Sequence, residues 1–267
     1  MSFYKLLTYI TVFLFCTSIK LFSQELEDTE EKKDSQKAPA NSYFDYAIRA
    51  FEKEDKKKFP AVGAIVCIGS SSMRFWHDTI EEDLAPLTII PRGFGGSDMS
   101  DALLYVNRIV TPYKPRAVVI YEGENDIVMG VKPKKVAEDF KEFAAKIHKE
   151  LPETRIYFLS IKPSVGRWYL WPQLLETNKI IEKDCLQDKR LIYVDLASAM
   201  FDSESKPRPE LFGRDGYHLS KAGYVVWTNT LKPILLKTEL AFEAITKKTE
   251  KEDPQKITPL KPKEENK

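Results

Sequence analysis

The chain has almost no net charge to work with. Its 267 residues carry 41 lysines and arginines against 40 aspartates and glutamates, a formal net charge of +1. No field of either sign exists to gather nucleic acid, so no nucleic-acid partner is expected. Cysteine is nearly absent. Cys16 lies in an apolar segment near the N-terminus, which leaves Cys67 and Cys185. Two lone thiols far apart in sequence build neither a disulfide framework nor a ligand set, and both are expected as buried small hydrophobes. Only three histidines occur, His77, His148 and His218, with no His-Glu-x-x-His spacing, so a metal centre is not expected. There is no internal repeat, which excludes a solenoid. Gly-x-Ser-x-Gly is missing around the first serine run, where Met73 takes the last place. A nucleotide-binding loop is missing too: Gly93-Phe94-Gly95-Gly96-Ser97-Asp98 breaks Gly-x-Gly-x-x-Gly at Asp98, and no cofactor is expected.

What is present suits one folded domain between two dissimilar ends. Lys5 precedes an apolar run at residues 6–16, too short to read first as a membrane span, and Ser23-Gln24 then opens a polar stretch. That order is the pattern of a secretory leader, so residues 1–23 are read as a signal peptide or a retained N-terminal anchor. The domain is therefore expected to work outside the cytoplasm: periplasmic, secreted or membrane-anchored. Any membrane association is expected through the N-terminus only. Residues 24–40 carry too few apolar side chains to offset ordering and are read as a disordered linker. Residues 246–267 have the same mixed-charge character and are read as a solvated tail. The interval 41–245, in a chain that is 43% apolar and 12% aromatic, can bury a full core.

Within it, short apolar runs at residues 62–68, 87–90, 117–121, 155–161 and 191–194 alternate with amphipathic stretches. The runs are continuous in apolarity, as strands covered on both faces of a parallel sheet must be. Residues 98–110, 136–151, 171–186 and 221–236 repeat apolar positions at helical spacing. The expected fold class is a three-layer α/β domain, and in such sheets ligands bind beyond the carboxyl ends of the strands.

Four strand ends carry chemistry. Gly69-Ser70-Ser71-Ser72 follows the first strand; a glycine allows a sharp turn, and a serine beyond it is either a helix cap or a nucleophile. Arg92-Gly93-Phe94-Gly95-Gly96-Ser97 follows the second, and a glycine-rich loop can turn a backbone N–H into a cleft as an oxyanion hole requires. Glu122-Gly123-Glu124-Asn125-Asp126 follows the third; its three acids are the competing metal reading, and otherwise these are turn formers. Near the end, Asp215-Gly216-Tyr217-His218 precedes a helix. His148 is read on a solvated helix face and His77 as packed or capping in the first helix. His218 alone has a carboxylate three residues away in a glycine turn, where Asp215 could orient the imidazole of a general base.

Taken together and in this order, the four segments resemble the SGNH (GDSL-like) hydrolase family over residues 61–236. The family pattern is a Ser after the first strand, a Gly, an Asn in a Gly-x-Asn turn, and an Asp-x-x-His. The resemblance implies a flavodoxin-like sheet of five parallel strands and ester hydrolysis through an acyl-enzyme. It implies Ser71 as nucleophile, His218 as base and Asp215 as its orienting partner. The backbone N–H groups of Ser71 and Gly96 and the amide of Asn125 would form the oxyanion hole. The departure is Ser70, which stands where the family usually has Asp, so Ser70 and Ser72 stay open beside Ser71, with Ser72 read as a cap. Arg92, Arg167 and Trp168 are candidate substrate-binding residues, with Trp171 beside them. The expected substrate is a carboxyl ester, with a short acyl group such as acetyl on a glycan or lipid. The alternatives are an exported carbohydrate- or lipid-binding protein on an inactive hydrolase scaffold, and an O-acyltransferase using the same serine.

Overall fold

The computed structural model describes residues 43–244. The chain divides into two compact units, Met1–Asp45 and Tyr46–Lys267. The first lies almost wholly outside the described residues, as do the expected leader, linker and tail. In chain order the elements are α1 (Asp45–Lys57), β1 (Ile65–Gly69), α2 (Ser71–Trp76), α3 (Ile80–Asp83), β2 (Ile89–Gly93), α4 (Met99–Ile109), β3 (Ala117–Tyr121), α5 (Glu124–Val128), α6 (Pro133–Glu150), β4 (Arg155–Leu159), α7 (Trp171–Cys185), β5 (Leu191–Val194) and α8 (Lys221–Glu239).

The five strands form one parallel sheet in the order β2-β1-β3-β4-β5. This is the flavodoxin-like order, in which the chain reverses its direction of winding between β1 and β3 and opens a crevice at their carboxyl ends. Every residue of β1 and of β3 is buried, because helices cover both faces. Side chains alternate between the faces. Ile65, Cys67, Val119 and Tyr121 pack with Trp76 and with Trp227, Leu231 and Leu235 of α8. On the opposite face Phe158 meets Phe140 of α6 with ring centroids 5.0 Å apart. Burying a large apolar side chain of this kind contributes about 1.5–3 kcal/mol.

The boundaries shift from the apolar runs for local reasons. Residues 61–64 make a turn, Ala64 N–H donating to the Ala61 carbonyl, so β1 starts at Ile65. β2 runs on through Pro91 and Arg92 to Gly93, despite their sequence character. It is an edge strand, where a proline is tolerated. β4 stops at Leu159, because the Asn178 side-chain amide takes both the N–H and the carbonyl of Ile161. α4 begins as expected at Asp98, which caps it reciprocally with Asp101.

Two features tie the sheet to the first helices after it. Gly69 has φ +150°, and a Cβ there would lie 2.3 Å from the Tyr121 carbonyl oxygen, so only glycine lets β1 end flush against β3. His77, following α2, accepts the Gly93 N–H at Nε2 over 2.9 Å. Burial, helped by Arg74 and Arg92, lowers its pKa to about 4, so it is neutral and free to accept. This agrees with the expectation that His77 has a packing role. His148 does not lie on a solvated face: it is half-buried, with Nε2 2.9 Å from the Thr154 carbonyl. Cys67 and Cys185 are free and buried, and burial pushes the Cys185 thiol up to about 12. No helix among the described residues is long and apolar enough to cross a membrane.

Gly69→Ala is expected to cost about 1–3 kcal/mol or more by overpacking against backbone. Gly130→Ala, also at positive φ but with nothing within 4 Å, is expected to cost only the conformational strain. Urea midpoints of the two variants test this, and equal losses would refute the close-approach argument. A second expectation concerns pH. Unfolded His77 binds a proton near pH 6.5 and the folded residue only near 4, so the stability it contributes is full above 6.5 and declines as pH falls through 4. His77→Gln, which keeps an acceptor but does not titrate, should show a smaller loss of urea midpoint between pH 7 and pH 4.5 than the wild type.

Candidate active site

The carboxyl ends of the strands gather the four segments in one place. Ser71 is the first residue of α2, immediately after β1. The opening residues of a helix have no intrahelical acceptor, so its N–H is available to a ligand. Its Oγ lies 2.9 Å from His218 Nε2, and His218 Nδ1 lies 2.7 Å from Asp215 Oδ2. The other oxygen of Asp215 accepts the N–H groups of Tyr217 and His218, each at 3.0 Å. Partial burial would raise the Asp215 carboxyl, but these two N–H groups and the imidazole outweigh it and hold it at about 2. Asp215 is therefore an ionised acceptor throughout the neutral range, and with its proton drawn to Nδ1 the imidazole presents Nε2 as the acceptor of the Ser71 hydroxyl.

The serine run resolves into three different environments. Ser70 is buried in the cap position of α2 without a side-chain capping bond. Ser72 is not a cap, contrary to the sequence expectation. It is buried inside α2, and its Oγ accepts from Lys162 Nζ at 3.2 Å. Ser71 alone of the three meets His218.

Beside Ser71 runs the β2 loop. A Cβ on Gly95 would lie 3.8 Å from the Ser71 Cα and Cβ, so the loop passes beside the serine with room for no more than a methyl group between them. Gly96 has φ +94°. Asn125, on α5 after β3, donates from Nδ2 to the Ser97 carbonyl at 2.9 Å and accepts at Oδ1 from Arg167 at 3.3 Å. The amide is thus oriented from both sides. Ser71, Gly96 and Asn125 lie on the segments that follow β1, β2 and β3, and the turn that carries Asp215 and His218, just before α8, joins them through Ser71.

The other candidates divide. Arg167 joins the site: its guanidinium lies 3.1 Å from Glu124 and 4.2 Å from the Tyr217 ring centroid. Trp168 follows it, stacking on Trp171 at 5.9 Å, with Lys206 Nζ 5.8 Å from its centroid. Arg92 does not join. Buried at 7% exposure, its guanidinium bonds Asp55, the Tyr113 hydroxyl and the Pro91 carbonyl and packs on Phe51. It anchors α1 to β2, because a charged side chain on an edge strand under a helix needs a buried acid to meet it.

The acids after β3 do not assemble as metal ligands. Glu124 pairs with Lys162 and Arg167 and accepts from the Tyr121 hydroxyl at 2.8 Å. Burial would raise its carboxyl, but the two cations hold it below its ordinary value. Asp126 accepts the Met99 N–H, and burial pushes it up to about 7. Glu122 meets Ser97. Among the described residues no group of three His, Cys, Asp or Glu side chains is placed to hold a metal ion.

Several residues at the site were given no role by the sequence reading. Lys162 lies buried beneath α2 and α5, bonding Ser72, Tyr121 and Glu124. Phe75 sets its ring edge-on to His218 at 4.9 Å, and Tyr217 lies 4.4 Å away. The loop after β4 closes on the His218 turn through Gly166 N–H to the Gly216 carbonyl, 2.8 Å. A lysine just past an apolar strand and an aromatic at the fifth helix position were visible signals. Their partners, remote in sequence, were not.

Comparison with known proteins agrees with the fold. The model of the GDSL-like lipase/acylhydrolase family matches residues 65–226. No curated protein matches the chain. A Streptococcus pneumonia protein provisionally described as a platelet activating factor is similar in structure, with a TM-score of 0.63 at 19% identity over 82% of this chain and 99% of its own. A GDSL-like lipase from Bacteroides thetaiotaomicron is similar with a TM-score of 0.61 at 19% identity over 71% of this chain and 97% of its own. The lipase/acylhydrolase from Enterococcus faecalis gives 0.54 at 22% identity over 64% and 95%. At such identities the structures speak for the fold; the family match, over more than half of the chain, speaks for descent. The chain belongs to the GDSL-like lipase/acylhydrolase family, whose members' common chemistry is the hydrolysis of esters.

Proposed function

We propose that this protein is an SGNH-type serine esterase in which Ser71 forms an acyl-enzyme. The observation that carries the reading is the unbroken path from Ser71 Oγ through both nitrogens of His218 to Asp215, 2.9 and 2.7 Å. In the reaction His218 Nε2 takes the hydroxyl proton as Oγ attacks the ester carbonyl. The C=O electrons move onto oxygen, where the Ser71 and Gly96 N–H groups and the Asn125 amide donate to it. The tetrahedral intermediate collapses, the C–O bond to the alcohol breaks, and the alcohol leaves with the proton from His218. Water then repeats the cycle on the acyl-serine, with the same base and the same donors. Asp215 stays ionised throughout and stabilises the imidazolium formed in each half.

The substrate we propose is a carboxyl ester with a short acyl group, such as acetyl, on a glycan or lipid. The ring of Phe75 beside His218, with centroids 4.9 Å apart, supports a small acyl group. Arg167, partly exposed and lying against Tyr217, is the residue best placed to meet the alcohol portion. Trp168 extends that side. The leader-like N-terminus supports action outside the cytoplasm, with membrane contact confined to that segment.

Ser71→Ala is expected to abolish turnover of p-nitrophenyl acetate and labelling by a fluorophosphonate, with an unchanged melting temperature. Full turnover in that variant would overturn the assignment. Asn125→Ala is expected to lower kcat by about 10²–10³ with little change in KM, since the amide acts on charge that develops only in the transition state. Steady-state kinetics on the same ester decide it: an equal rise in KM at unchanged kcat would assign Asn125 to ground-state binding instead.

A further inference from the structure

Behind the Gly95-Gly96-Ser97 loop lies a carboxyl group that the hydrolytic cycle does not use. Glu122 is fully buried. Its Oε1 lies 2.6 Å from Ser97 Oγ, and its Oε2 has no hydrogen-bond partner among the described residues. Ser97 Oγ in turn lies 2.9 Å from the Phe94 carbonyl, which can only accept. A serine hydroxyl has one proton to give. If Ser97 gives it to Phe94, the short contact to Glu122 requires a proton from Glu122. If Ser97 gives it to Glu122, a carboxylate is left sealed from water with one oxygen unbonded. The charged groups that act on it from its own segment and from the start of α4 are Asp126, Asp98 and Asp101, and all are acids. A buried ion in those surroundings neutralises by taking up a proton.

We propose that Glu122 is held as the neutral acid and donates its proton to Ser97 Oγ, so that Ser97 donates to Phe94 and the loop carrying Gly96 is locked. The same loop presents the Ser97 carbonyl to Asn125 Nδ2 at 2.9 Å. One carboxylic acid thereby positions two of the three donors assigned above to the oxyanion. Glu122 touches no substrate; it is a positioning residue. Burial foremost, and then the neighbouring acids, push its carboxyl far above the ordinary range, while the Ser97 bond opposes them. The consequence for catalysis rests on the oxyanion-hole reading; the protonation state does not.

The experiment has two arms on the full-length protein. Difference infrared spectroscopy of wild type minus Glu122→Gln at pH 7 should contain the C=O stretch of a protonated carboxyl. A carboxylate band in its place overturns the proposal, whatever the protein's activity. In the kinetic arm, Glu122→Ala is expected to lose about 10–100-fold in kcat with little change in KM, as a displaced donor would. Glu122→Gln, whose amide N–H can replace the acid O–H, should recover at least about tenfold over Glu122→Ala. It should also lack any alkaline decline in kcat that the wild type owes to ionisation of Glu122. A folded Glu122→Gln no better than Glu122→Ala overturns the donor role. If Glu122→Ala does not fold, the infrared band and the pH profile of Glu122→Gln decide alone. Undiminished turnover by Ser71→Ala would remove the catalytic reading and leave the infrared result standing.

Discussion

The site depends on the level at which three parallel strands end. In the register of the sheet Gly69 of β1 stands opposite Gly93 of β2 on one side and Tyr121 of β3 on the other. Because these residues align, the chain leaves the sheet at one height in three adjacent places. Ser71, the Gly95-Gly96 loop and the Asn125 turn therefore emerge side by side. The order β2-β1-β3-β4-β5 puts the reversal of winding there, so no crossover helix covers the opening. The His218 turn, which follows no strand directly, is brought in by the fold of the β4 loop and by the start of α8.

Electrostatics hold the two sides of that opening differently. Under α2 and α5 lies an ion network, in which Lys162 bridges Ser72, Tyr121 and Glu124 and Arg167 completes the neutralisation of Glu124. Buried ion pairs add little net stability over apolar packing, but removal of one member leaves a charge that nothing offsets. Such a network resists relative displacement of the two helices it joins, one bearing Ser71 and the other Asn125. Under the β2 loop Glu122 meets a hydroxyl and forms no ion pair among the described residues. One flank is thus held by opposite charge and the other by hydrogen bonds. Both adjoin the segments that carry Ser71 and Asn125.

Much of this was legible before any coordinates. Continuous apolar runs flanked by helical periodicity led to the parallel sheet, and β3 and β5 fall on the expected residues. The scarcity of histidine reduced the choice of base to a short elimination, and His218 is the histidine that meets a serine. Residues whose environment depends on a remote segment were misread. Arg92 looked like a substrate-binding residue and is a buried strut to Asp55. Ser72 looked like a cap and meets Lys162, 90 positions further along the chain. His148 looked solvated and bonds the carbonyl of Thr154 across the turn that ends α6.

By itself, the sequence determined the fold class, the order of the strand-end segments and the family, because periodicity and turn chemistry act over a few residues and are written locally. Tertiary structure decided which of three adjacent serines faces the base, which arginine reaches the cleft and which acids are paired. Those outcomes turn on contacts between segments up to 147 positions apart, such as Ser71 and His218. Burial sets the charge states of such groups, and burial is a property of the assembled sheet and its covering helices.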